Sequence, residues 1–398
     1  MRILYLAQLV PYPADAGPKI RMYYVLRYLA AAGHQVTLLA FHRPDDTPEA
    51  IAHLTQYCYE VKTVLMPRSR LLDGLGLLRS VVTGRPFLIA RDHVAAMYQA
   101  IHDLTGRDTF DIIHADQLWM APYALAASQF SRHRPRTVLD QHNAVYLIPR
   151  RLAAQNKNPL ARAFLRWEER KMAAYEVKSC AQFDGLAWVT DDDKVALEAV
   201  FGRELGGLTI PICVDPASRP VIPRQPQANR ITFMGGLHWP PNREGVLWFA
   251  RHVWPQVTAQ FPKARLTIIG KNPPAGLPTH QVEVTGYVTD PLPYLAETAV
   301  FIVPLHAGGG MRVKILDAWS WGLPIVSTTI GAEGLHYRHN HNLLVADTAP
   351  DFAQAIAQLL ANPAQQEALG RSGRDTVETH YDWQKIYPLW ENVLSGGA

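Results

Sequence analysis

Short apolar runs rich in Ile, Leu and Val alternate along this chain with longer stretches of helical periodicity. In the first half, the runs at 3–7, 35–40, 111–114, 137–140 and 186–190 read as short buried strands. Helical patterns lie between them, such as 20–32, which ends on Gly33. The second half repeats the habit. Its strands are expected at 231–234, 266–269, 282–284, 300–304, 325–327 and 343–346, and its helices at 243–260, 311–321 and 351–362. Apolar strands alternating with helices argue for parallel sheets covered on both faces. Two such series predict an α/β chain of two Rossmann-like domains with parallel sheets facing across a cleft. Ligands in such sheets bind beyond the carboxyl ends of the strands. The stretch 206–226 is proline-rich and aperiodic, which suits a linker. The expected division is 1–208, 209–380, and an aromatic, apolar segment 381–398 that returns to the first domain.

Composition narrows the function. The 398 residues are 48% hydrophobic and 19% charged, ordinary for a globular chain with full cores. The net charge of +4 is mild, and nothing resembles a nucleic-acid-binding arm. Cys58, Cys180 and Cys213 form neither a disulfide framework nor a zinc spacing, which points to a reducing cytoplasm. Met1 leads straight into an apolar strand without a signal-peptide pattern, and no run of 18 apolar residues is present.

Residues 301–328 carry the densest chemistry: FIVPLHAGGGMRVKILDAWSWGLPIVST. They read as strand, glycine loop, helix and strand. Gly308, Gly309 and Gly310 let backbone N–H groups approach an anion, and a helix N-terminus adds about half a positive charge. Arg312 and Lys314 are expected on the first helical turn, where cations oppose the dipole. A bound diphosphate would account for that placement. Gly310, Lys314 and Asp317 are spaced i, i+4, i+7 and share one helix face.

Other segments widen the pattern. PYPADAGPKIRMYYVLRYLAAAGHQVTLLA is a strand-to-helix opening, DIIHADQLW and VLDQHNAVYL surround middle strands, and FMGGLHWPPNREGVLWF and VTGYVTD open the second half. With GGGMRVKILDAWSWGLPIVSTTIGAEGL, these segments resemble the retaining GT-B glycosyltransferases, the family-4-like group 1 enzymes. Within that family they resemble a bacterial subgroup associated with exopolysaccharide synthesis. The resemblance implies a nucleotide-sugar donor of UDP or GDP type held by the C-terminal half. Gly235 and Gly236 would pass close to the diphosphate, and Tyr287 would lie near the base. Gly308, Gly309 and Gly310 would approach sugar and phosphates, and Asp317 would bond the ribose hydroxyls. His142 would face the donor sugar. Gly17, Arg21, His114 and Asp116 would line the acceptor side of the cleft. Three departures stand out. Gly309 occupies the place of a frequent first glutamate. The usual Arg and Lys are missing from GGLHWPPNR, so Arg312 and Lys314 would supply the phosphate charge. Pro18 replaces a frequent second glycine.

The expected activity is transfer of a sugar from a nucleoside diphosphate to a glycan or lipid-linked acceptor, with retention and without metal or further cofactor. The expected place is the cytoplasm, with peripheral contact at the inner membrane face. A nucleotide-sugar epimerase of similar fold and a non-catalytic partner subunit are the alternatives. Asp191, Asp192 and Asp193 suggest a metal site but read better as a helix cap. The apolar run 71–82 reads as a core helix, with an interfacial helix as the alternative. The cations Arg150, Arg151, Lys157, Arg162, Arg166, Arg170 and Lys171 read as a solvated helix face, with anionic lipid as the alternative partner.

Overall fold

A computed structural model describes residues 1–223, 225, 229–308 and 310–397. Gly309, and residues 224 and 226 of the expected linker, lie outside the described residues. The chain forms two compact units. One combines Met1–Cys213 with Ile386–Ala398, and the other is Val214–Lys385.

The first unit holds a seven-stranded, all-parallel sheet. Its strands are β1 (Arg2–Ala7), β2 (Gln35–His42), β3 (Glu60–Leu65), β4 (Ile112–Asp116), β5 (Arg136–Gln141), β6 (Gly185–Trp188) and β7 (Leu208–Thr209), in the order β3-β2-β1-β4-β5-β6-β7. The central strands are buried on both faces, so helices cover both, although His114, Asp116 and Asp140 put polar and charged groups on one of them. Leu4, Leu6, Leu39, Ile113 and Leu139 anchor the core. The apolar periodicity did not point to β3 or β7. β3 is a half-buried edge strand, and β7 has two residues.

The second unit holds a six-stranded parallel sheet in the order β10-β9-β8-β11-β12-β13. Its strands are β8 (Arg230–Met234), β9 (Arg265–Ile269), β10 (Val282–Gly286), β11 (Thr298–Val303), β12 (Ile325–Ser327) and β13 (Leu344–Val345). Ile231, Phe233, Leu266, Ile268, Val300 and Ile302 form its core.

Four expectations about helices change. The pattern at 243–260 begins earlier, at Pro240–Trp248, and continues through a wider turn at Phe249–Val253 into Trp254–Gln260. Pro255 supplies no N–H, so the backbone beside it relaxes into that wider turn. The helix expected at 311–321 is Val313–Ser320, with Arg312 before it in a non-helical conformation. The run at 71–82 is helical, Arg70–Thr83, but it is not a core helix. Leu71, Leu75, Leu78 and Val82 are exposed, and its buried residues are Gly76 and Ser80. Thr190, not an aspartate, caps the Asp191–Phe201 helix. Asp191, Asp192 and Asp193 occupy the first turn, where acids suit the dipole.

Candidate active site

In the first unit, strand register assembles a buried charged cluster. Tyr5 pairs with His114 across β1 and β4, and Asp116 pairs with Asp140 across β4 and β5. Side chains two apart on a strand share a face, so Tyr5, His114, Asp116 and Asp140 project to one side. His142 follows β5 at once. The rings of Tyr5 and His114 stack at 4.3 Å. The Tyr5 hydroxyl donates to Asp116 at 3.1 Å. His142 Nε2 lies 3.0 Å from Asp116 Oδ1 and 3.4 Å from Asp140 Oδ2. From the Gly17–Ala31 helix, Arg21 donates Nε and Nη2 to Asp140 at 2.7–2.9 Å, and Nη1 to the carbonyls of Ile210 and Pro211. Two carboxylates thus face two cations out of water.

These partners set the charges. Burial pushes the His142 pKa down, but Asp116 and Asp140 outweigh it and raise it to about 9. Its ring is therefore an imidazolium at neutral pH. His142 Nδ1 has no protein partner among the described residues. Burial also opposes ionisation of Asp140, but Arg21 and His142 hold it below the usual carboxylate range. Burial lowers His114 to about 4, so its ring is neutral. Asp116, Asp140 and His142 have metal-like spacing, yet Arg21, Tyr5 and the His142 proton already take their lone pairs. The donor set therefore reads as an ion-pair network.

The expectation that Arg21, His114 and Asp116 line an open cleft is corrected. None of the three has solvent exposure. The strand register turns His114 and Asp116 into the covered face, and Arg21 is drawn in by Asp140. Gly17, at the first position of its helix, is half-buried. His142 retains 8% exposure. Two acids fix the loop after it: Glu176, which sequence reasoning missed, and Asp193, which it read only as part of a helix cap. Glu176 accepts from Val145 N at 2.8 Å and Tyr146 N at 3.1 Å, and Asp193 accepts from Ala144 N at 2.8 Å. Their signal was an acid recurring on otherwise buried helix positions.

In the second unit, the expected donor residues gather at the carboxyl edge of the sheet. Tyr287 follows β10, Gly235 and Gly236 follow β8, and Gly308 and Gly310 lie between β11 and the Val313–Ser320 helix. Gly310 adopts φ of 71°, a left-handed conformation that favours glycine. A Cβ on Gly235 would lie 2.6 Å from Lys314 Nζ, so glycine there admits the lysine. Lys314 Nζ donates to Asn242 Oδ1 at 2.8 Å, and Asn242 Nδ2 donates to the Gly236 carbonyl at 2.8 Å. Asn242 thus ties the lysine to the glycine turn. Sequence reasoning missed Asn242, and also Lys271, which follows β9 with Nζ 4.5 Å over the Tyr287 ring. Lys271's signal was a cation two residues past an apolar strand.

Arg312 and Lys314 differ from the expected first-turn pair. Arg312 precedes the helix and donates Nη1 to the Gly310 carbonyl at 2.6 Å, bracing the glycine loop. Lys314 stands on the first turn. Burial and Arg312 lower its pKa to about 7, opposed by Asp317. Asp317 accepts from Arg219 Nη1 at 2.5 Å, so it is an internal ion-pair partner in this structure. Burial raises its pKa against that attraction. A hollow of about 340 Å³ lined by Arg136, Asp184 and Gly185 lies at the amino ends of β5 and β6, away from these groups.

Two parallel-sheet units, one with a glycine-lined carboxyl edge, define a GT-B fold. The profile described as Glycosyltransferase Family 4 matches residues 17–202, and that described as Glycosyl transferases group 1 matches 228–362. An uncharacterized 44.6 kDa protein in the cps region of Klebsiella pneumoniae is 22% identical over 395 residues, 95% of both proteins. A GDP-mannose-dependent alpha-(1-6)-phosphatidylinositol monomannoside mannosyltransferase of Mycobacterium tuberculosis is 26% identical over 161 residues, covering 36% of this chain and 42% of that enzyme. Among solved structures, Anabaena HepE in complex with UDP superposes with a TM-score of 0.68 at 14% identity, over 100% of both chains. The chain belongs to the GT-B glycosyltransferases of family 4. It is a glycosyltransferase of glycan synthesis.

Proposed function

We propose that the second unit binds a nucleoside-diphosphate sugar along the carboxyl edge of β10, β9, β8 and β11. The observation that carries this reading is Lys314, held by Asn242 beside the Gly235–Gly236 turn. A lysine whose pKa is depressed by burial regains its proton when an anion arrives, so diphosphate and ammonium stabilise each other. Gly308 and Gly310 offer backbone N–H groups, Lys271 and Tyr287 flank the base, and Asp317 exchanges Arg219 for ribose hydroxyls. The donor class is UDP or GDP. HepE was crystallised with UDP and with UDP-glucose, and the mycobacterial relative is GDP-mannose-dependent.

In the reaction, a hydroxyl of a glycan or lipid-linked acceptor bonds the anomeric carbon as its bond to the diphosphate oxygen breaks. The acceptor proton passes to the leaving diphosphate on the same face, which gives retention. Lys314 and Arg312 carry the charge that grows on that leaving group, so the step runs without a metal or another cofactor. On the first unit, His142 offers its Nδ1–H as a donor for a sugar hydroxyl. The setting is the cytoplasm at the inner membrane face. Three buried free cysteines suit a reducing compartment, and among the described residues no helix is long and apolar enough to cross a membrane.

The test incubates purified protein with a panel of UDP- and GDP-sugars and a lipid-linked acceptor, with and without EDTA. The product's anomeric configuration is read by NMR. Transfer with retention in EDTA is expected. Inversion, or loss of turnover restored by magnesium, overturns the corresponding part. Donor isomerisation without acceptor would favour the epimerase alternative.

A further inference from the structure

The Arg70–Thr83 helix is built against the usual rule. Its inward stripe is Gly76 and Ser80, four apart. Gly76 packs so closely on the Phe87–Arg91 helix that a Cβ would come within 2.8 Å of the Arg91 Cα. Its aliphatic residues point away from the protein. Leu71, Leu75, Leu78 and Val82, spaced i, i+4, i+7, i+11, are 82, 62, 62 and 77% exposed. Monomeric soluble surfaces rarely carry so continuous an apolar stripe without a use for it.

A second helix adjoins it. Lys171, on Pro159–Cys180, donates Nζ to Ser80 Oγ at 2.5 Å, and Glu168 of that helix accepts from Phe87 N at 2.8 Å. Leu160, Phe164 and Trp167 form another exposed apolar stripe there. Beside them run Arg162, Arg166 and Arg170, four apart and exposed. The acids of this helix, Glu168, Glu169 and Glu176, are all buried or half-buried. The outward face therefore combines aliphatic side chains, an aromatic pair and cations, with its acids turned inward.

We propose that this face of the first unit is a membrane-docking surface that takes an anionic phospholipid bilayer. Trp167 and Phe164 suit the headgroup boundary, the leucines and valine suit the acyl edge, and the arginines suit phosphate. A 14-residue helix is too short to span a bilayer, so Arg70–Thr83 lies in the plane of the interface. Charge decides against a second copy of this chain as occupant. A two-fold contact would set the arginine stripe against itself or leave it idle, whereas an anionic surface uses it. The proposal rests on the lipid-linked acceptor reading only for its purpose.

The test is flotation of the full chain with phosphatidylcholine vesicles and with vesicles that also contain phosphatidylglycerol, without donor or acceptor. It therefore fails or succeeds apart from transfer activity. Binding to the phosphatidylglycerol vesicles, weakened by salt, is expected. Leu75→Glu/Leu78→Glu and Arg162→Gln/Arg166→Gln/Arg170→Gln should each weaken it by roughly tenfold or more while melting stays unchanged. Both variants change exposed side chains, so folding is not at risk. No binding to anionic vesicles, or binding indifferent to both variants, overturns the proposal. So does a concentration-dependent dimer in sedimentation that Leu75→Glu/Leu78→Glu dissolves while wild type ignores vesicles.

Discussion

Lys314 and His142 have opposite electrostatic histories, and each yields a prediction. Lys314 is depressed to about 7 by burial and Arg312, so at pH 8 most of it is neutral before a ligand arrives. Binding of UDP or GDP should draw a proton from solution at that pH. Isothermal titration in buffers of different ionisation enthalpy measures the uptake, and Lys314→Ala should remove it while weakening binding by about 1.5–3 kcal/mol. Zero uptake in wild type would detach Lys314 from the phosphate. His142 instead keeps its proton because Asp116 and Asp140 outweigh burial. Asp116→Asn deletes one carboxylate charge but leaves a similar shape. The alkaline limb of kcat/KM should move toward neutral pH, with a smaller change in donor KM. A merely structural Asp116 would lower stability and leave the pH profile in place. Sequence pointed to His142 and Lys314 by position after a strand and after a glycine loop. It could not show that Arg21, His114 and Asp116 are covered, because coverage depends on strand register and on a helix far along the chain.

Elements were legible where one period dominated and illegible where a single residue overrode it. The strands β1 and β11 follow unbroken apolar runs, and β4, β5 and β8 follow short ones broken by a polar residue. The Val313–Ser320 helix starts late because Arg312 leaves helical geometry to brace the Gly310 carbonyl. The Arg70–Thr83 helix was misjudged because apolarity shows that a surface must be covered, not what covers it; Gly76 and Ser80 were the signal for the inward side. The glycine turn after β8 gives a prediction at this scale. In Gly235→Ala the new methyl meets the flexible end of Lys314 at 2.6 Å and Asn242 Nδ2 at 3.1 Å, not backbone, at a φ of 158° that adds some strain. The lysine should swing aside, raising donor KM several-fold with only a modest fall in melting temperature from the strained φ. A large drop in melting temperature with unchanged KM would make Gly235 a folding residue instead.

At the scale of the molecule, alternation of strands and helices made both units legible, while the return of the chain to the first unit after Lys385 had only an aromatic, apolar tail as its sign. Each unit carries its own core, so calorimetry should resolve two transitions. Proton linkage distinguishes them. In the first unit, His142 is raised to about 9 and Glu176, by burial, to about 8. The folded state therefore binds more protons than the unfolded chain, and stability falls as pH rises through 7 to 9. The His142 contribution is full below the unfolded histidine value and is lost above about 9. In the second unit, depressed Lys314 makes the folded state bind fewer protons than the unfolded one above pH 7, so its linkage has the opposite sign. Raising pH from 7 to 9 should bring the first transition down and leave the second level or higher. UDP or GDP at about 100 times its Kd should then raise the second by roughly 5–10 °C, from about 2.7 kcal/mol of binding free energy. If nucleotide raises the alkali-sensitive transition instead, the donor site is in the first unit and the assignment of Lys314 fails.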